Sequence, residues 1–511
     1  MSPPTVTIVA FALLTVAVSR FLNARNSVNC IPGMRPLFAP MSLFGAAFGT
    51  RWWNPGLNWP WEWRKTGFFN HTHDVISLVP LISGGSSVYT CSVDVARQIL
   101  AAEGKTQLFK PRWIAASLWG ENIVAASGDQ WRRHRRIVAP ALTPKTYGLV
   151  VAETIAVYKE MIEGENWSED KEILVPDFNR LPRKIALILI SRCGFGLPMP
   201  WADTPADQSR LTFGKSLTIV TETVISRLII PTWLYKLPIE RFRIIDQAWS
   251  GLSSFMHTFL ETRKDVQRGD TDSTDEKQRG DILSRLVAAM STDGKLNLDE
   301  QEVIGNIFTL MVAAHETTAA VITATLGFLA IHEEEQEKVY AEITTAILAS
   351  NAPTLDDLQN LPYLLACFHE AMRIYPAGVA VVRELTDDIS IRIKRPIEET
   401  MVLRQGTLVV IDMIALHHNP NTFPEPDIFK PSRWAGTSEH DVSMFGFGAR
   451  ACIGRKFSHV EALCFLALFL RDWKITVPVS ATETEREMGK AGINGLAFSV
   501  GPISLRLRRR K

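Results

Sequence analysis

The chain of 511 residues is 46% hydrophobic and 21% charged, a composition that fits an ordinary globular body with a sizeable core. Its 55 basic and 54 acidic residues leave a net charge of +1, which excludes a nucleic-acid partner held by bulk charge. Six scattered cysteines (Cys30, Cys91, Cys193, Cys367, Cys452, Cys464) show no C-x-x-C pair and no zinc spacing. That excludes a disulfide framework and fits a reducing compartment with one special thiol.

Thr5 to Leu22 is a mostly apolar run, broken late by Ser19 and Arg20. At ~1.5 Å per residue it reaches roughly 27 Å, enough for a thin bilayer. Three readings compete: a signal-anchor helix, a secretory signal cleaved near Ala17-Val18-Ser19, and a core helix. No basic side chain precedes the run, whereas Arg20, Arg25 and Arg35 follow it, so the positive-inside rule puts the body in the cytosol. The order expected is an anchor over 1–25, a proline-containing hinge over 26–50 around Ile31-Pro32-Gly33-Met34-Arg35-Pro36, and a body over 51–511.

Residues 51–69 are rich in tryptophan (Trp52, Trp53, Trp59, Trp61, Trp63), which suits a membrane interface and plain packing equally. Val75 to Val93 alternates as strands do, with Gly84-Gly85 as the turn. Most of the rest has helical spacing, so the fold class is mainly α with a small β region near the front. Trp131 and Arg135 lie four apart on one helical face within Trp131-Arg132-Arg133-His134-Arg135-Arg136, a stretch that needs no more meaning than a solvated basic face. Apolar segments recur at helical spacing over 205–245, and residues 264–281 read as an exposed polar loop.

A long apolar helix begins near Leu298 and contains Ala313-Ala314-His315-Glu316-Thr317-Thr318. An acid in so apolar a helix is costly unless it has a task or a partner. The structural alternative has Thr317 bonding back to the preceding turn and Glu316 meeting a distant arginine. Glu370 and Arg373 follow, one turn apart on one face, and Ala377 to Arg383 is extended after the Tyr375-Pro376 break. Phe429-Lys430-Pro431-Ser432-Arg433-Trp434 comes later, and Asn494 to Phe498 predicts a hairpin tip. The terminal Arg506, Arg508, Arg509, Arg510 and Lys511 read as a solvated basic tail suited to anionic lipid.

The chain is organised around Phe445-Gly446-Phe447-Gly448-Ala449-Arg450-Ala451-Cys452-Ile453-Gly454, followed by an apolar run to Phe469. This is a cysteine delivered by a glycine-rich loop to the first turn of a buried helix. Gly446 and Gly448 allow a sharp turn close to a flat partner, and Gly454 removes bulk near the sulfur. The positive helix end favours thiolate, the form a transition metal takes. Alone, Cys452 reads as an inert buried thiol. With Phe445, Gly448, Arg450 and Gly454 at these spacings, the stretch closely resembles the haem-binding loop of the cytochrome P-450 family.

That resemblance, over roughly residues 30–505, implies a cytochrome P-450 fold behind one transmembrane helix, in a membrane-anchored, eukaryotic, fungal-like enzyme. It implies haem b with Cys452 as thiolate ligand to iron, held also by Phe445, Arg450 and Gly454. Trp131, Arg135 and Arg383 would meet the haem propionates, as indole N–H and guanidinium groups can. Arg132, Arg133 and Arg136 would then be free to face an acidic redox partner. Glu316 and Thr317 would relay protons for dioxygen cleavage, with Ala314 where a glycine often stands. Glu370, Arg373 and Arg433 would form one buried ion network beneath the haem. Ile114, Leu118, Trp119, Ala313, Ala314, Val379 and Val381 would line the substrate pocket, and 205–245 resembles in position the substrate-access helices.

The function implied is a monooxygenase that inserts one oxygen atom from O2 into a lipophilic molecule, with terpenoid or steroid, fatty acid and aromatic xenobiotic as candidates in that order. No G-x-G-x-x-G follows a strand, so electrons come from another protein: NADPH-cytochrome P-450 reductase, with cytochrome b5 as a further candidate. The place implied is the endoplasmic reticulum membrane, in contact with membrane lipid. Two rivals stand beside this reading. One is a haem-thiolate isomerase, dehydratase or peroxygenase that needs no reductase; the other is a non-catalytic haem sensor or electron carrier.

Overall fold

The structure, a computed structural model, describes residues 15, 18–65, 72–102, 104–108, 119–168, 171–202, 211–268, 281–291, 294, 296–347, 352–442 and 444–510. Most of the N-terminal apolar run, together with Phe68, Phe69, Ile114 and Leu118, therefore lies outside the described residues. The chain divides into two units: Met1–Trp113 with Gly378–Ile428 and His440–Ala451, and Ile114–Ala377 with Phe429–Glu439 and Cys452–Lys511.

The first unit is built on a six-stranded sheet in the order Gly33–Met34, Val75–Leu78, Ser87–Thr90, Leu408–Asp412, Ala380–Leu385, Thr106–Leu108. Successive side chains on a strand point to opposite faces. Val75, Val88 and Val409 thus pack on one face with Val28 and Ile31, while Ile76, Tyr89 and Val410 pack on the other with Met34 and Trp59. Both faces are covered, so every residue of Val75–Leu78 and Ser87–Thr90 is buried, the polar Ser77, Ser87 and Thr90 included. The expected hinge is itself part of this sheet, since Gly33–Met34 pairs in parallel with Ser77 and Leu78. Of the tryptophans, Trp59 and Trp61 are core residues at 3% exposure, whereas Trp52 stands 90% exposed.

Four helices of the second unit carry most of the candidate site: α1 (Gly128–Val138), α2 (Glu300–Ile331), α3 (Pro362–Ile374) and α4 (Arg455–Asp472). A capping box starts α2: Asp299 accepts the Glu302 N–H, and the Glu302 carboxylate accepts the Asp299 N–H. Among the described residues α2 is the one helix long and apolar enough to cross a membrane, yet most of it is buried inside the protein. A helix that is apolar all round belongs in a core.

Two expectations are corrected here. Residues 264–268 are not loop but the end of the helix Glu240–Arg268, where Lys264 bridges Glu261 and Glu300 and Val266 is buried. The basic C-terminus is not a solvated tail: Leu505–Arg509 is the middle strand between Trp473–Thr476 and Glu172–Val175. Leu505 and Leu507 alternate into the core at 0% exposure, and Arg510 pairs with Glu337 at 3.0 Å.

Candidate functional site

Cys452 lies two residues before Gly454, the N-cap of α4, rather than inside its first turn. Its thiol is exposed and accepts the N–H groups of Gly454 and Arg455. Burial nonetheless pushes the thiol above its ordinary value, against those two bonds and the nearby Arg135 and Arg455 charges. For the free thiol, desolvation outweighs the pull of the helix end. A Cβ on Gly454 would stand 3.9 Å from the sulfur, so a bulkier side chain there would begin to cover it.

In the first unit, Gly446 and Gly448 take φ of +78° and +67°, which L side chains rarely adopt. A Cβ would find its nearest neighbours at 3.8 Å and 3.7 Å, so conformation rather than crowding requires these glycines. Phe445 and Arg450 are half-buried, Arg450 closing the turn Gly448–Arg450.

In α2, the residues on either side of the Ala313–Thr317 stretch are buried, while Ala313 is exposed and Ala314, Glu316 and Thr317 are half-buried. This is a window in a core helix. Thr317 donates its hydroxyl to the Ala313 carbonyl at 2.7 Å, the back-bond that sequence offered as the structural alternative. Among the described residues Glu316 forms no ion pair with an arginine; it accepts the Leu496 N–H at 2.8 Å from the hairpin Gly492–Asn494/Ala497–Ser499. The turn residues are Gly495 and Leu496, with Gly495 at φ +68°, and a Cβ on Gly495 would stand 2.4 Å from Glu316 Oε1. Behind the window, Glu316 and the buried His315 also line a cavity of about 450 Å³ with Arg183, Lys184 and Glu222. Sequence reasoning missed the clamp on Glu316, although the glycine at a hairpin tip was its visible signal.

Glu370 and Arg373 are both 0% exposed and bond twice, at 2.9 Å from Nε and 2.9 Å from Nη2. Arg433 Nε donates to the same carboxylate at 2.8 Å, as do the Lys430 N–H at 3.0 Å and the Trp434 indole at 2.9 Å. Trp434 and Lys430 were not anticipated as members. Burial alone would raise the Glu370 carboxyl, but the Arg373 bonds and the Arg373 and Arg433 charges hold it below its ordinary value.

The cytochrome P-450 family model matches residues 79–500. The chain belongs to the cytochrome P-450 family. It is 29% identical over 485 residues to cytochrome P-450 monooxygenase 124 of Postia placenta, covering 92% of each chain. It is 27% identical over 418 residues to cyclooctat-9-en-7-ol 5-monooxygenase of Streptomyces melanosporofaciens, covering 79% of this chain and 83% of that one. The solved cytochrome P450DA heme domain shares the fold, with TM-score 0.71, 21% identity, and coverage of 94% of this chain and 98% of that one.

Cytochromes P-450 are haem-thiolate oxidoreductases, and their cofactor is iron protoporphyrin IX with a cysteine ligand. The residues of this P-450 fit that group. Arg383 is buried at 9% exposure, donates to the Val382 carbonyl at 2.9 Å, and forms no ion pair among the described residues. A desolvated guanidinium of this kind suits a propionate. In the second unit Trp131 is buried, the Arg135 guanidinium lies 5.6 Å over its ring, and Arg135 acts electrostatically on the Cys452 sulfur.

Of the other basic residues of α1, Arg133 departs from expectation. Arg132 pairs with Asp129 at 2.6 Å, and Arg133 turns inward to Glu302, so Arg133 is not free to face a partner; Arg136 is exposed. The reason is the α2 capping box, whose Glu302 supplies a nearby anion. Of the pocket candidates, Trp119 is packed against Phe308 at 4.4 Å and Trp249 at 5.2 Å. Val381 packs against the cluster of Ala96, Ile411, Met413 and Leu416, and Val379 is half-buried.

Proposed function

We propose that this P-450 inserts one oxygen atom of O2 into a lipophilic substrate, by hydroxylation or epoxidation, with electrons from NADPH-cytochrome P-450 reductase. The observation that carries the proposal is the window at Ala313, Ala314, Glu316 and Thr317 in an otherwise buried α2. Small side chains there leave room for a diatomic molecule, and an acid and an alcohol stand at its edge. When bound, thiolate-ligated haem supplies dioxygen activation, because the thiolate pushes electron density that favours O–O cleavage.

The chain's own residues do the rest. Cys452 provides the sulfur, stripped of competing bulk by Gly454. Arg383, Arg135 and Trp131 neutralise and orient propionates, while Phe445 and Arg450 shape the loop. Glu316 offers its carboxylate for proton transfer, oriented by the Leu496 N–H and bordering the 450 Å³ cavity. Thr317 keeps its oxygen lone pairs available while its hydrogen is given to Ala313. Glu370, Arg373 and Arg433 hold the segment Phe429–Glu439.

An alicyclic alkenol substrate named for the Streptomyces relative supports the terpenoid or steroid class for this chain. Exposed Phe44, Phe48 and Trp52 in the first unit support contact with lipid, in keeping with an anchor over 1–25 and a cytosolic body at the endoplasmic reticulum. The test has two stages. Purified protein reduced under carbon monoxide should show the absorption diagnostic of sulfur-ligated haem, and Cys452→Ala should abolish it. A terpenoid, steroid and fatty-acid panel should then shift the haem band, and turnover should require NADPH and reductase. Turnover on peroxide alone would favour the peroxygenase reading instead.

A further inference from the structure

Away from the residues assigned to haem, three metal-ligating side chains of the second unit converge. His369 on α3 and His459 on α4 bring their Nε2 atoms to 3.2 Å. A Glu439 carboxylate oxygen joins them, all three ligand atoms lying within 4.8 Å of one another. We propose that His369, His459 and Glu439 form a binding site for a zinc-like divalent transition ion.

Zinc bound to imidazole at ~2.0–2.1 Å in tetrahedral geometry sets neighbouring ligand atoms roughly 3.3 Å apart. The two histidines already stand at that separation. A nitrogen-to-nitrogen hydrogen bond has the same length, but it needs only the two rings. A carboxylate oxygen within 4.8 Å of both nitrogens adds what a cation requires and a ring pair does not. Two imidazoles and one carboxylate select zinc over magnesium or calcium, which take oxygen ligands.

The ligands are mounted for the task. His369 is buried, its ring 5.3 Å from that of Trp434, and the His459 ring meets Phe368 edge-on at 6.0 Å, so packing limits both rotamers. His459 and Glu439 are half-buried, which leaves the site reachable from solvent. Glu439 also pairs with Arg455 at 3.3 Å, with side chains 17% and 37% exposed. The Ser438 hydroxyl donates to the other Glu439 oxygen at 3.3 Å, and a cation would have to compete with both contacts. Three protein ligands leave the fourth position to water. An ion there would tie α3 to α4 and to the segment carrying Arg433.

The experiment is calorimetric titration of chelator-treated, haem-loaded protein with zinc chloride, and in parallel with magnesium chloride. One equivalent of zinc should bind with no magnesium heat, and zinc should raise the unfolding midpoint. His459→Gln and Glu439→Gln, both at half-buried positions, should each weaken zinc by at least ~10-fold while haem content stays at the parent level. Absence of saturable zinc binding, or binding unchanged in both variants, overturns the site.

Discussion

Replacing Glu370 with alanine removes a carboxylate from a buried cluster of donors. The carboxylate accepts at least five hydrogen bonds, from Arg373 Nε and Nη2, Arg433 Nε, the Lys430 N–H and the Trp434 indole. Truncation leaves the Arg373 guanidinium at 0% exposure without its carboxylate. Breaking a buried pair in this way costs about 3–5 kcal/mol. Against the ~5–15 kcal/mol that holds a typical domain together, that is about a fifth of the total or more. Urea unfolding should therefore show a loss of about 3–5 kcal/mol, and the reduced carbon monoxide spectrum should show severely reduced haem content. Glu370→Ala combined with Arg373→Met should recover part of the loss, because the stranded cation goes too. A Glu370→Ala protein that keeps full haem and loses under ~1 kcal/mol would refute the reasoning.

Other outcomes follow from single contacts. Gly495→Ala places a Cβ 2.4 Å from Glu316 Oε1 and must displace the carboxylate, so product formed per NADPH consumed should fall several-fold with haem content intact. Unchanged coupling would show that the clamp does not position Glu316. Burial first, and then the Arg133 charge, lowers His134 to about 4. The folded state thus binds fewer protons than the unfolded one between that value and ~6.5, so stability is full above ~6.5 and falls with acidification by up to about 3 kcal/mol. Urea midpoints across this range should lose that slope in His134→Phe. The Cys452 thiol is raised by burial, so taking up haem must release its proton. Haem affinity of apo-protein should accordingly rise with pH, up to about tenfold per unit below the thiol's value; a flat profile would show the sulfur already ionised.

Sequence by itself determined the family and its chemistry, because the cysteine loop, the Ala-Ala-x-Glu-Thr-Thr helix and Glu-x-x-Arg each need particular side chains at particular local spacings. Those spacings survive in one dimension. It also determined the strand pair at Val75–Thr90 through its alternation, and the long core helix through apolar side chains on every face. Tertiary structure decided everything that depends on which distant groups meet. The Cys452 thiol is raised rather than lowered because desolvation comes from the surrounding body, not from the helix start beside it. Arg133 turns to Glu302, Trp434 joins Glu370, and Leu496 holds Glu316, each across more than sixty residues of sequence. The C-terminal arginines became a strand because Leu505 and Leu507 found a core between Glu172–Val175 and Trp473–Thr476. Burial and long-range pairing are properties of the folded chain, so residue spacing can nominate a site's chemistry but cannot say which proton, partner or neighbour each member keeps.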